Sequence, residues 1–257
     1  MLKNLVFTIC VGKRYGKIGE ITIPTIEAYA NKIGADFICN RDKSTSDISP
    51  HFSKFKINEY FNTYDRIIYL DADLIIRDDT PDLFEVVPED SFGAFNEGAY
   101  AQGRVESMLK AAEVYGIEIT SDIGKKYKGQ YYNTGVMVIS KIHQNIFTTP
   151  EEQHLLPFYE QSYLNAKIIS NDIKVKELDY KFNRMTLMDN ITGEDRHASY
   201  IIHYAGCPAI EKDFVEIITK DVETWKQSRP DYKFKRHVLM ESNHRSVLYQ
   251  RTVLPLN

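Results

Sequence analysis

Cysteine is scarce in this chain: Cys10, Cys39 and Cys207 are too few and too far apart for a disulfide framework or a zinc pattern, which fits a reducing compartment. No apolar run approaches the length of a membrane span. Residues 5–11 are apolar, but the run is too short for a signal sequence and has no small-residue cleavage site. It reads as a first strand, and a cytoplasmic protein is expected. An excess of positive charge is also missing. The formal net charge is -4, which argues against a general nucleic-acid binder. Repeats, low-complexity segments and an internal linker are all absent, so the 257 residues are expected to fold as one large α/β domain.

What is there is organised around residues 66–79. Arg66-Ile67-Ile68-Tyr69-Leu70 is nearly all apolar and β-branched, the composition of a strand covered on both faces. It ends in Asp71-Ala72-Asp73, and a second apolar run, Leu74-Ile75-Ile76, follows. Ligands of open α/β sheets bind at the carboxyl ends of the strands, where these acids stand. Two like charges this close repel unless a cation compensates them, and Mg²⁺ or Mn²⁺ with oxygen ligands would do so.

Around that stretch the pattern alternates. A strand ending near Thr8 runs into Gly12-Lys13-Arg14-Tyr15-Gly16, expected to be a ligand-contacting loop. A helix is expected from Pro24, stopped by Gly34, and a strand over 35–39. Residues 53–64 read as helix, and Thr80 and Pro81 as cap and first residue of a short one. A strand over 91–95 precedes a helix over 104–115. Tyr131 to Gly135 reads as a turn feeding an apolar strand that ends at Ser140. Residues 151–166 read as helix, 173–178 as strand, and 199–202 as a last strand before His203-Tyr204-Ala205-Gly206. Strands alternating with helices imply layers around a mostly parallel sheet.

Four blocks then stand in order: Tyr69-Leu70-Asp71-Ala72-Asp73, Tyr132-Asn133-Thr134-Gly135-Val136, Glu160-Gln161-Ser162-Tyr163-Leu164-Asn165, and Ile202-His203-Tyr204-Ala205-Gly206. Together they resemble family 8 glycosyltransferases, the group that includes glycogenin and bacterial lipopolysaccharide galactosyltransferases. The resemblance implies a GT-A fold and transfer of a hexose from a UDP-sugar, with retention, to an acceptor hydroxyl on a saccharide, glycolipid or protein. It also implies Mn²⁺, with Mg²⁺ as the alternative. Asp71, Asp73 and His203 match the metal ligands, and a nitrogen ligand favours Mn²⁺. Thr8, Tyr15, Lys56, Asp71 and Gly206 match nucleotide-binding positions, with Tyr15 the ring on which uracil stacks. Lys54 competes with Lys56 for the lysine near the donor. Asn133, Thr134, Glu160 and Gln161 match the donor-sugar contacts, and Gln161, Glu160 and Asn133 those nearest the reacting carbon.

Two departures stand out. Glu160 replaces the family's usual aspartate, and Ala209 stands where a lysine typically reaches the diphosphate, with Lys212 as a substitute from a longer loop. Asp71-Ala72-Asp73 also resembles a phosphatase motif with a nucleophilic first aspartate, although that motif normally opens its domain. A nucleotidyltransferase would want a Gly-rich, Arg-containing loop better than residues 12–16. A non-catalytic nucleotide-sugar-binding protein is a third alternative. Residues 1–224 are assigned to the catalytic domain, and 225–257 to a basic and aromatic extension that packs on it or docks on an anionic membrane surface.

Overall fold

Ile67, Ile68, Tyr69 and Leu70 leave neither face of their strand with a polar residue to show to water, so the strand needs cover on both sides. It has that cover in the computed structural model, which describes residues 2–42, 49–206 and 211–227, the first two of the last range by backbone only. In chain order the elements begin β1 (Asn4–Ile9), α1 (Gly12–Lys32), β2 (Asp36–Asn40), α2 (Ile57–Tyr60), β3 (Arg66–Asp71), β4 (Leu74–Ile76) and α3 (Leu83–Val86). There follow β5 (Phe92–Asn96), α4 (Arg104–Val114), α5 (Ser121–Lys126), β6 (Tyr132–Ser140), α6 (Tyr159–Ser170) and β7 (Val175–Glu177). The described part closes with β8 (Arg184–Met185), α7 (Thr186–Thr192), β9 (Ile201–His203) and α8 (Glu211–Gln227).

A six-stranded sheet has the order β2-β1-β3-β6-β5-β7. Only β6 runs against its neighbours, so the sheet is mostly parallel, as the alternation implied. Side chains alternate between its faces. Leu5, Phe7, Ile67, Tyr69, Met137 and Ile139 pack on one side with Leu164 and Ile168 of α6. Val6, Ile68, Leu70, Val136 and Val138 pack on the other with Ile23 and Ile26 of α1. A second sheet, β4-β9-β8, stands beyond the end of β3.

Several local expectations are corrected. Gly12 to Gly16 is not a loop but the start of α1, which runs through Pro24. Ile18, Thr22, Ile26 and Ala30, four residues apart on one face, are all fully buried, and that continuous face outweighs the one hydrogen bond the proline cannot make. The stop at Gly34 is as expected. Gly34 has φ 68°, its N–H donates to Asn31 O at 3.2 Å, and that of Ala35 donates to Ala30 O at 3.0 Å. Asp82, not Thr80, caps α3, accepting from Phe84 N at 2.8 Å, because the Thr80 hydroxyl donates to the carbonyls of Arg77 and Tyr200.

Residues 53–64 form a 3₁₀ stretch, Pro50–Lys56, followed by the single turn of α2. Helix α6 begins at Tyr159, later than expected, since Phe158 and Tyr159 have φ 62° and 44°. The expected turn at Asn133-Thr134-Gly135 is part of β6. The register jumps from Ala94↔Met137 to Phe95↔Asn133, a bulge that sets these residues apart from the ladder. Helix α8 covers Tyr204 with Phe214 and Ile218 and continues past residue 224, Trp225 donating from its indole to His197 O at 3.0 Å. The rest of the C-terminal extension, 228–257, lies outside the described residues.

Candidate metal centre and adjoining cavity

Strand β3 carries Asp71 to the carboxyl edge of the sheet, and the chain turns there to enter β4. The turn is held from α1, whose Thr22 hydroxyl donates to Ala72 O at 2.7 Å. Antiparallel pairing then sets Leu74 opposite His203, so β9 delivers its histidine directly beside the two aspartates. His203 Nε2 lies 3.6 Å from Asp71 Oδ2 and 3.4 Å from Asp73 Oδ1. One ligand atom from each of the three falls within 4.8 Å of the others. Two carboxylates and an imidazole are a donor set suited to a first-row divalent ion.

Gly135 shows how tightly the strands close on this group. A Cβ there would stand 2.2 Å from His203 Cε1 and 2.8 Å from Asp71 Oδ2, so only glycine lets β6 pass. The electrostatics are those of a partly buried charge cluster, with His203 fully covered and the two aspartates open to the cavity. Burial alone would raise Asp71, but the charges of Lys54 and His203 and the Tyr69 hydrogen bond hold it below the usual carboxylate range. Burial pushes His203 down, yet bonding to Asp73 and the charges of both aspartates leave it above its ordinary value. Tyr15 is pushed up first by the charge of Asp73, then by burial, which fits its place on the same wall.

A cavity of about 1090 Å³ opens above the triad, with Tyr15, Asn133, Glu160, Gln161, Gly206 and all three triad residues in its lining. Lys54 is the buried lysine that reaches it, its ammonium 3.2 Å from Asp71 Oδ1 and 2.7 Å from Glu160 Oε1. Of the two lysines Lys54 is the one in the cavity lining, while Lys56 and Thr8 stand outside it. Thr134 also lies behind the surface, where its N–H donates to Gln161 Oε1 at 3.0 Å and its hydroxyl to Glu160 Oε1 at 3.3 Å. Ala209 and the side chain of Lys212 lie outside the described residues.

Three residues that sequence reasoning missed complete the far wall and its support. Glu97 accepts from Asn133 Nδ2 at 3.0 Å and from Gln161 Nε2 at 3.4 Å, and it is paired with Arg104. Asn183 links Asn133 to His203. The one signal in the sequence was that Glu97 follows a strand, at the same sheet edge as Asp71.

The family profile described as Glycosyl transferase family 8 matches residues 12–209. A solved glycosyltransferase involved in glycosylation of the major capsid of PBCV-1 is 14% identical, with a TM-score of 0.55 over 85% of this chain and 99% of that one. The bifunctional glycosyltransferase WbbM in its apo form is 15% identical, with a TM-score of 0.50 over 88% of this chain and 52% of that one. At such identities the likeness is one of fold. No curated protein matches the chain.

Proposed function

The chain belongs to glycosyl transferase family 8 and has the GT-A fold of a glycosyltransferase, and on that premise we propose that it moves a hexose from a UDP-sugar to an acceptor hydroxyl, with retention and with Mn²⁺. The observation that carries this reading is the closure of Asp71, Asp73 and His203 on one another beneath a cavity whose other wall holds Asn133, Glu160 and Gln161. The three triad residues would hold the ion, His203 through Nε2 after losing its proton there. When bound, it would neutralise charge gathering on the departing diphosphate.

The remaining work falls to side chains. Tyr15 offers a ring for the base, and α1 points its uncapped N-terminus, with no acid in the first turn, toward the same end of the cavity, where backbone N–H groups favour phosphate. Both carboxylates at the sugar end are ion-paired, Glu160 with Lys54 and Glu97 with Arg104, so neither is free to attack the anomeric carbon. That favours front-face displacement. The bond from the anomeric carbon to phosphate breaks as the acceptor oxygen bonds to the same face, and the departing phosphate oxygen takes the acceptor's proton. A phosphatase would want its nucleophilic aspartate at the end of the first strand, whereas Asp71 ends the third.

Thermal unfolding with UDP, with MnCl₂ and with both tests the reading. A ligand at 100 times its Kd stabilises by about 2.7 kcal/mol, which corresponds here to a shift of roughly 5 to 10 °C. The shift should require both components and vanish in an Asp71→Asn, Asp73→Asn double variant, which should also lose UDP-sugar transfer. A shift that persists in the double variant overturns the metal assignment. No helix among the described residues is long and apolar enough to cross a membrane. The basic and aromatic residues of 225–257 are proposed to contact anionic lipid, and sedimentation with anionic vesicles at low salt checks this.

A further inference from the structure

A carboxylate only accepts hydrogen bonds, whereas a side-chain amide accepts at one end and donates at the other. Glu97 is fully buried, and Arg104 donates to its Oε1. Its Oε2 therefore obliges Asn133 to present Nδ2, at 3.0 Å, and Gln161 to present Nε2, at 3.4 Å. Asn133 is then left with Oδ1 on its other side, where the N–H of Gly135 and the Nδ2 of Asn183 both donate at 2.9 Å. Asn183, having turned its amide nitrogen toward Asn133, faces His203 Nδ1 with Oδ1 at 2.7 Å. An oxygen there requires a proton on Nδ1. The lone pair of a neutral His203 is consequently on Nε2, the atom that faces Asp71 and Asp73.

We propose that Glu97 is a positioning residue that sets the polarity of this chain of amides. Through it Glu97 acts with the backbone N–H of Gly135 to fix the tautomer of the metal-centre histidine, and with that of Thr134, which donates to Gln161 Oε1 at 3.0 Å, to fix the direction of the Gln161 amide. The inference rests on the metal-centre reading above and adds to it a buried group that touches none of the three ligands. Its chemistry explains the partnership with Arg104. The guanidinium compensates the charge of Glu97 without presenting an acceptor that could turn the amides round.

Glu97→Gln is the diagnostic change, since it conserves shape while replacing one acceptor oxygen with a donor. Arg104 will claim the remaining oxygen, so the new NH₂ must face two other NH₂ groups, and Asn133 and Gln161 must turn or separate. Outer-shell partners of metal-bound histidines are worth about 10- to 100-fold in metal affinity, and a loss of that size is expected when the variant is titrated with MnCl₂, with and without UDP. Adding Arg104→Met to Glu97→Gln frees the introduced amide to rotate its oxygen back toward Asn133. The double variant, a neutral replacement of a buried ion pair, should fold and recover most of the affinity.

A Glu97→Gln variant that binds Mn²⁺ like the wild type, or a double variant no better than the single, overturns the proposal. If the wild type itself fails to bind Mn²⁺, the metal-centre reading fails separately. Nitrogen-15 NMR of the metal-free protein, labelled at histidine, then decides on the positioning role. His203 Nδ1 should stay protonated at alkaline pH in the wild type and share a second, Nδ1-unprotonated form in Glu97→Gln. Identical spectra would sink the idea.

Discussion

The two ends of the cavity are built by different means. The metal end is made by backbone. A tight turn after β3, the register of β4 against β9, and a glycine in β6 bring three candidate ligands together, two of them separated by a single residue in sequence. The far end, where Asn133, Glu160 and Gln161 stand, is made by side chains from five separate segments, joined by two buried ion pairs and a set of amides. Backbone geometry is specified by many residues at once, so the metal end should resist change everywhere except where a ligand or the glycine is touched. The far end depends on particular charges being matched, and losing one partner should be expensive there.

The largest effect is expected at Lys54, where the two ends meet. Lys54→Met leaves Glu160, 4% exposed at its side chain, without its cation and removes a partner of Asp71. Breaking a buried pair from one side costs about 3 to 5 kcal/mol. Pairing the change with Glu160→Gln removes the stranded charge, and the double variant should be more stable than Lys54→Met alone in urea unfolding. If the two variants unfold at the same midpoint, the far end is not held by charge matching and the contrast collapses.

Gly135→Ala addresses the metal end. Its Cβ would meet His203 Cε1 at 2.2 Å, and neither partner can withdraw easily. The histidine is tied to Asn183, and β6 is buried along all nine of its residues. Overpacking of this kind costs about 1 to 3 kcal/mol, less than stranding Glu160. Yet Mn²⁺ binding, followed by titration, should fall more than in any variant of the far wall that leaves the Glu97 network intact. Unchanged binding would mean that the triad is more yielding than strand register implies.

The same contrast explains what the sequence revealed. Asp71 and Asp73 were legible because they stand one residue apart after a strand whose apolar run announces its burial, and His203 because it sits in a block of its own. Glu97, Arg104 and Asn183 were not, since each is an ordinary residue until the fold brings its partners beside it. Which of Lys54 and Lys56 reaches the cavity depends on the 3₁₀ geometry of Pro50–Lys56, which turns the first inward. Two elements were misread because local chemistry lost to packing. Pro24 signals a helix start, but the buried face from Ile18 to Ala30 carries α1 across it. Asn133-Thr134-Gly135 has turn composition, and its glycine is there because His203 crowds the strand.

The smallest predicted effect asks whether the backbone-built end leans on α8. Tyr204, next in sequence to His203, donates its hydroxyl to Asp221 of α8 at 2.8 Å, and His197 reaches the same carboxylate through Nε2 at 2.9 Å. Asp195 faces His197 Nδ1 at 2.7 Å, and Arg196 stands 3.6 Å from Asp221. The hydrogen bond that His197 donates to Asp221 raises the His197 pKa above its ordinary value, against burial and with help from Asp195. A raised histidine contributes stability that is fully present below the unfolded pKa, about 6.5, and is lost as pH rises through the folded one. Asp221 is itself held below the usual carboxylate range despite burial, so it stays ionised across that window. For a partly exposed pair the contribution is under about 1 kcal/mol. His197→Gln should therefore melt below the wild type at pH 5.5, and the gap should narrow by pH 8.5. A gap that stays constant with pH would show that α8 is held by its apolar face alone and that the metal end needs no ionic clamp behind it.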